Sequence, residues 1–327
     1  MATIHDVATK AGVSVATVSR YFNGGYVGAP TRASIEAAVQ ELGYRPNAVA
    51  RALSAKSSQV IGLIVPSITN PFFPELAQAV EEECARRGFH LVLCNGNGSV
   101  DKEQQFIAAL AASFADGIIT ATGNCGESYE KLSVPVVSVD RELGTAAPHV
   151  SSDNFDGGRM AFRCLERAGV QHPLFIGSSR DSTSKHQREE GFFSEAKLAG
   201  FPAPDILVAE EDDHSRSLAE NAGLLERCDG VFAWNDVTAA EAIRLLHQLG
   251  RRVPEDCSVV GFDDVYIARL FMPGLTTIAQ RIYEMGRAAT ELLMRMIDGE
   301  QLDGVTYMLG VELIERESTL RGKEGTI

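Results

Sequence analysis

The chain has 327 residues, 45% of them hydrophobic and 23% charged, which is the composition of an ordinary globular protein large enough for two or three domains. Its net charge of −14 argues, taken whole, against a nucleic-acid partner, and its six scattered cysteines, with no C-x-x-C pair, read as small buried apolar residues of a reducing compartment rather than a disulfide frame or a zinc site. No apolar run approaches the roughly 18 residues that a membrane helix needs, and MATIHDVATK lacks the basic-then-apolar pattern of a signal peptide, so a cytoplasmic, nucleoid-associated location is expected.

The average charge hides an asymmetry. Through Ser58 the basic residues are Lys10, Arg20, Arg32, Arg45, Arg51 and Lys56, against Asp6, Glu36 and Glu41. That is +3 at the front and −17 for the rest, a small basic head on a large acidic body.

The head begins as a helix-turn-helix. Ile4, Val7, Ala8 and Ala11 recur at helical spacing. Gly12 stands where the chain must turn sharply, Val13 plugs the corner, and Ser14 is a good N-cap for a second helix. In that helix Val18 and Tyr21 face inward, leaving Val15, Ala16, Ser19 and Arg20 outside. A recognition helix lays such residues on base edges in the major groove. Val15 and Ala16 suit a thymine methyl, and Arg20 suits a guanine edge or a phosphate. Ser14, Thr17, Ser19 and Asn23 offer hydroxyls or an amide to phosphates, and Thr3 joins this DNA-facing set. A third helix is expected over 31–42, with Ala33, Ile35, Ala38, Val39 and Leu42 on its buried side and Gly43 as its stop. YRPNAVARALSAKSSQ then reads as a short helix-capable segment, too short to be stable alone, and a polar linker.

From about Gln59 the pattern becomes strand–helix alternation. VIGLIV, HLVLCN, GIITA and VPVVSVD are short, β-branched apolar runs, with helices between them at 72–87 and 101–114. PLFIG, DILVAE, GVFAWND and CSVVGFDD form a second set, with helices near 155–169, 186–199, 215–227 and 237–249. Two such sets predict an α/β body of two lobes, each a parallel, doubly wound sheet covered on both faces. Ligands of open α/β sheets bind beyond the carboxyl ends of the strands. Those ends carry Phe72 and Phe73 after the first strand, then Asp140, Asn235 with Asp236, and Asp263 with Asp264. Each polar one could instead cap the next helix, but their recurrence at one end of the sheets favours a ligand site.

The motifs TIHDVATKAGVSVATVSRYFN, TRASIEAAVQELGYRPNAVARALSAKSS, IGLIVPSITNPFF and LIERESTLRG, in this order, resemble the LacI/GalR family of bacterial transcription regulators along nearly the whole chain. The resemblance implies a periplasmic-binding-protein-like body of two lobes, controlled by a small molecule, and an AVARAL hinge helix that folds on operator DNA. Leu53 would wedge into a central minor-groove step, with Ala52, Arg51 and Asn47 around it. GYVGAP departs from the family, which more often has a Ser cap before the third helix. The implied domains are 1–46 for DNA binding, 47–58 for the hinge and 59–327 for effector binding and dimerisation. Within the last, the first lobe would take 59–159 and 291–320 and the second 160–290, so that YMLGVELIE returns to the first lobe.

In KHQREEGF the resemblance places Arg188 (R-x-x-G-F) against the effector. It carries Asn235, Asp263, Asp140, Phe72, Phe73 and Gln280 to the same site, with Ser182 and Ser184 where relatives vary. In AEEDDHSR the counterpart of an aromatic platform is Asp212 or Asp213, with His214 beside it, which weakens stacking, favours a hydroxyl-rich or cationic ligand and disfavours a purine, the alternative being a solvated acidic loop. The expected effector is therefore a sugar or sugar derivative. A nucleoside, or a phosphoprotein co-effector, is the alternative. No catalytic residues, metal ligands or cofactor are expected, since the seven histidines show no paired spacing. The expected partners are a pseudo-palindromic operator, the small molecule and a second copy of the chain. The short tail after LIERESTLRG carries no Leu heptad, so a homodimer is expected rather than a tetramer.

Overall fold

A computed structural model describes residues 2–22, 24–44, 57–112, 115–123, 125–180, 182–210 and 213–320. It divides into two compact units, Met1–Gln59 and Val60–Ile327. The expected hinge residues Asn47, Arg51, Ala52 and Leu53, together with Asn23 and Asp212, lie outside the described residues.

The described residues of the first unit form three helices. Helix α1 (Ile4–Ala11) opens with a capping box, in which Thr3 Oγ1 accepts from the Asp6 amide and Asp6 Oδ2 accepts from the Thr3 amide. Gly12, at φ +67°, takes the left-handed turn that ends it, a conformation glycine adopts without a Cβ penalty. Ser14 Oγ accepts from the Thr17 amide at 3.2 Å, at the start of α2 (Val15–Phe22). Helix α3 (Ala29–Leu42) has Gly28 before it and Pro30 in its first turn, both compatible with helix initiation. Val7, Ala8, Val18, Val27, Ile35 and Ala38 form the core. Two sequence expectations change here. Val15 packs half-buried against that core, not on the outer face, because it begins α2 beside the turn residue Val13. Ala33 is exposed, one residue off the stripe set by Ile35 and Ala38.

The second unit holds two six-stranded sheets. The first contains β1 (Val60–Val65), β2 (His90–Asn95), β3 (Gly117–Thr120), β4 (Val136–Val139), β5 (His149–Ser152) and β11 (Thr306–Leu309), all parallel, in the order β11-β5-β4-β3-β1-β2. The second contains β6 (Pro173–Ser178), β7 (Asp205–Ala209), β8 (Gly230–Ala233), β9 (Ser258–Asp263), β10 (Thr276–Ala279) and β12 (Glu312–Ile314), in the order β12-β10-β9-β8-β6-β7. Strands β1, β3, β4, β6, β8 and β9 are buried along almost their full length, as helices on both faces of a parallel sheet require. Around the first sheet run α4 (Phe72–Arg86), α5 (Val100–Ala112) and α6 (Gly126–Glu130). Around the second run α7 (Asn154–Arg167), α8 (Thr183–Leu198), α9 (His214–Glu220), α10 (Ala222–Arg227) and α11 (Asp236–Gln248). Helix α12 (Ile282–Ile297) packs on α4 and on β3, β4 and β5 of the first sheet.

The chain passes between the lobes three times, which corrects the expected boundaries. It leaves the first sheet at Asp153, not near 160, because α7 packs on α8 and on the second sheet. It returns at Ile282, not near 290, because α12 belongs to the first lobe from its first turn. After β11 it crosses again. β12 pairs antiparallel with β10 (Thr277 with Ile314, Ala279 with Glu312), so the second half of YMLGVELIE covers the open edge of the second sheet. Ser318 fastens this segment there, donating to the Val259 carbonyl at 2.6 Å and accepting from the Thr276 amide at 2.8 Å.

Candidate functional site

Between the two sheets of the body, the residues following the strands converge on one small chamber. β1 delivers Asn70, Phe72 and Phe73, and β4 delivers Asp140 and Arg141. β8 delivers Trp234 and Asn235, β9 ends in Asp263, and β10 leads into Gln280. Arg188 reaches in from α8. The free volume among them is about 20 Å³, room for about one water molecule.

Arg188 is the centre of this chamber and is 2% exposed. Its Nε donates to Asn154 Oδ1 at 2.8 Å, and one terminal nitrogen donates to the Trp234 carbonyl at 2.6 Å. The guanidinium lies 3.7 Å from the centroid of the Phe262 ring. Asp140 and Asp263 each present an oxygen 3.7 Å from its terminal nitrogens, an ion-pair separation too long for a hydrogen bond. Gln280 Nε2 donates to Asp263 Oδ1 at 2.7 Å. Asp140 Oδ1 and Gln280 Oε1 are buried acceptors with no hydrogen bond among the described residues. Both aspartates hold left-handed backbone, Asp140 at φ +63° and Asp263 at φ +112°. Such conformations cost on the order of 1–3 kcal/mol and persist only where the surroundings impose them. On the opposite wall Phe72 and Phe73 meet edge to face, ring centroids 5.1 Å apart, and give the chamber an apolar side. The set is thus a charged and amide-bearing wall facing aromatic rings, which suits a small molecule bearing several hydroxyls.

Burial pushes the Asp263 carboxyl up to about 7, against the attraction of the Arg188 guanidinium and the hydrogen bond from Gln280. The folded protein therefore binds this proton more tightly than the unfolded chain. The stability gained this way is fully present below about pH 4 and is lost as pH rises through about 7. Asp263→Asn removes the titration, so its melting temperature should fall less than that of the parent protein between pH 5 and pH 8. Parallel pH profiles for the two proteins would contradict this.

The remaining expected residues lie elsewhere. Ser182 caps α8, accepting from the Lys185 amide at 3.2 Å, and lines the polar mouth of the cleft with Thr183, His186 and Glu190. Ser184 is buried on α8 with its hydroxyl 3.4 Å from that of Ser182. Asp213 is exposed and caps α9, its Oδ1 accepting from the Arg216 amide at 3.1 Å. The next residue, His214, lines a side chamber instead. Asp236 supports the site from beneath: fully buried, it accepts from Thr277 Oγ1 at 2.5 Å and from the Val265 amide at 2.9 Å, and burial raises its carboxyl well above the ordinary range. Sequence reasoning missed Asn70, Arg141, Asn154 and Trp234. Three of them are sequence neighbours of strand-end residues that it did choose, and Asn154 is visible only through its bond to Arg188.

In the head, Ser14, Ala16 and Arg20 are exposed along α2, and Thr17 and Ser19 are half-buried. The Thr17 hydroxyl lies 2.9 Å from that of Ser14. Thr3 is exposed and engaged in the α1 cap.

Comparison with known proteins agrees with both units. Residues 3–47 match the model of bacterial regulatory proteins of the lacI family, and residues 162–319 match that of a periplasmic binding protein-like domain. The ribose operon repressor of Halalkalibacterium halodurans is 39% identical over 99% of this chain and 98% of its own length. The sucrose operon repressor of Streptococcus mutans is 36% identical over 97% of this chain and 99% of its own. Among solved structures, the lac repressor dimer bound to operator and the anti-inducer ONPF superposes with a TM-score of 0.85 at 26% identity, covering 98% of this chain and 99% of that one. A LacI family regulator from Enterococcus faecium with bound ribose gives 0.73 at 30% identity, covering 80% of this chain and 99% of that one. With a capped helix-turn-helix at one end, a two-sheet cleft built around Arg188 at the other, and relatives alike over their full length, the chain belongs to the LacI family of bacterial regulatory proteins.

Proposed function

We propose that the protein is a sugar-sensing transcriptional repressor that binds a pseudo-palindromic operator as a homodimer, in the cytoplasm, and acts by binding rather than turnover. The observation that carries the sugar reading is the inner chamber, where Asp140, Asp263, Asn235, Gln280 and Arg188 face Phe72 and Phe73. Carboxylates and amides chelate neighbouring hydroxyls, the Arg fork donates to ring oxygens, and the phenyl rings cover the C–H face of a sugar. Two relatives named for ribose and sucrose operons, and neighbours crystallised with ribose and D-xylulofuranose, support the same class and make a pentose the first candidate.

With about 20 Å³ free, the inner chamber admits a sugar ring only if the lobes move apart. Ligand binding is thereby tied to lobe spacing, and a ligand that prefers one spacing shifts the population toward it. Residues 47–58 lie between the head and the cleft unit in the sequence, and the proposed route from lobe spacing to DNA runs through them. In the head, Ala16 and Arg20 stand exposed on α2 for base edges, with Ser14, Thr17 and Ser19 for phosphates.

The experiment is thermal unfolding of the purified protein against a panel of sugars, nucleosides and amino acids. A ligand at about 100 times its dissociation constant adds roughly 2.7 kcal/mol. A pentose or other sugar should raise the melting temperature by several degrees and be recovered unchanged. Stabilisation by a nucleoside with none by any sugar would overturn the sugar reading.

A further inference from the structure

The last turn of α2 closes in a way that bears on Arg20. The Gly24 amide donates to the Tyr21 carbonyl at 3.2 Å, and the Gly25 amide donates to the Arg20 carbonyl at 2.9 Å. With Gly24 left-handed at φ +71°, these two bonds make a Schellman motif, in which the chain folds back over the end of the helix. In that motif the second residue past the cap frequently sets an apolar side chain against the residue that accepts the longer of the two bonds. Here the second residue past the cap is Gly25, and the residue it meets is Arg20.

Gly25 has no side chain to place there, and the Arg20 stem takes the space. A Cβ at Gly25 would stand 2.5 Å from Arg20 Cγ and 3.4 Å from its Cδ. The slot therefore fixes where Cγ and Cδ lie, and with them the first two side-chain torsions of Arg20. Gly25 is not among the left-handed residues, so its backbone would admit alanine. What the loop does not admit is alanine together with the present Arg20 rotamer. The guanidinium itself is uncommitted: Arg20 is exposed and makes no side-chain hydrogen bond or ion pair among the described residues. Ala16, one turn earlier on the same face of α2, is exposed beside it.

An exposed arginine ordinarily samples many rotamers, and fixing one of them on DNA costs more side-chain entropy than for most residues. A phosphate contact tolerates several of those rotamers. A bidentate contact to guanine O6 and N7 needs the fork in one orientation. We infer that Gly25 is a positioning residue for operator recognition: its missing side chain leaves the slot that orders the Arg20 stem before DNA arrives, so that the fork meets a base edge rather than only a phosphate. This rests on the DNA-binding reading of α2 above. It gives the loop between α2 and α3 a share in reading sequence without requiring Gly25 to touch DNA.

The test titrates an operator selected from a random duplex library, and a random duplex, with four forms of the full chain at one fixed salt concentration: the parent protein, Gly25→Ala, Arg20→Ala and the double variant. Gly25→Ala should bind the operator about three- to tenfold more weakly and random DNA less than twofold more weakly, with circular dichroism and melting temperature near those of the parent protein. The double variant should bind the operator as Arg20→Ala does, within twofold, because the slot has nothing left to hold. Unchanged operator affinity in Gly25→Ala overturns the inference. So does an equal loss on operator and random DNA, or a loss that persists undiminished once Arg20 is alanine. A second measurement needs no variant: the NMR order parameter of the Arg20 Nε–Hε bond in the DNA-free parent protein. It should lie nearer the rigid value of about 0.85 than the flexible range below about 0.6, and a value in the flexible range overturns the inference even if Gly25→Ala fails to fold. If no operator emerges from the selection, the DNA reading itself fails and the inference falls with it.

Discussion

Arg188→Met will unfold at a markedly lower temperature than the parent protein and will lose sugar binding. Methionine keeps most of the stem volume, so packing against Phe262 survives while the charge does not. What remains is Asp140 and Asp263, two buried carboxylates 3.7 Å from where the guanidinium stood, and two acceptors, Asn154 Oδ1 and the Trp234 carbonyl, without their donor. Removing one partner of a buried pair costs about 3–5 kcal/mol, because the orphaned charge is worse than the original pair was good. For a body of this size that is on the order of 10 °C in melting temperature. The loss should be smaller at pH 5 than at pH 8, since Asp263, already raised to about 7, can take up a proton and shed its charge. Arg188→Lys should not restore binding. A single ammonium cannot span Asn154 and the Trp234 carbonyl at once, as the planar fork does. The check is thermal unfolding at both pH values with calorimetric titration of the stabilising sugar. A melting temperature within a degree or two of the parent protein would contradict the role assigned to Arg188.

Gly191→Ala will also destabilise the protein, although helix propensity alone favours alanine by about 1 kcal/mol. α7 and α8 cross with their backbones in contact. A Cβ at Gly191 would stand 2.0 Å from the Phe155 carbonyl oxygen, and one at Gly158 would stand 2.1 Å from the Arg188 carbonyl oxygen. Neither obstacle is the end of a flexible side chain, so the helices must separate. Overpacking of this kind costs about 1–3 kcal/mol, and the displaced helix is the one that carries Arg188. Sugar affinity should therefore fall on the order of tenfold, about 1.4 kcal/mol, in Gly191→Ala and in Gly158→Ala. Unfolding and titration of the two variants check this. Unchanged stability in both would contradict backbone contact at the crossing.

The strands and the head were readable because their signals are local. VIGLIV occupies β1 residue for residue, and Gly12 and Gly43 mark helix ends by the left-handed turns that glycine tolerates. The central site was readable where strand ends bear a polar residue: Asp140, Asn235 and Asp263 do meet Arg188 in one chamber. What was not readable depends on tertiary pairing. Nothing in ELI shows that it will leave the sheet of β11 for the edge of β10, because three residues of strand look alike on either sheet. Ser182, Asp213 and Asn235 all serve as helix caps, and a cap and a ligand-binding residue have the same local sequence signature. Conversely, Arg141, Trp234 and His214 each adjoin a position that was chosen, and only the direction of the backbone at the strand end or helix start brings them to the chambers.

The central claim is that one ligand in this cleft governs binding to one kind of DNA. It is tested most directly by selecting an operator from a random duplex library with the intact protein and measuring its affinity with and without the sugar that raises the melting temperature. The account predicts a change of at least tenfold in operator affinity, in either direction. It also predicts that Arg20→Ala weakens the selected operator by about 1–3 kcal/mol more than random DNA. Operator affinity unmoved by saturating sugar, with the sugar demonstrably bound, would contradict it.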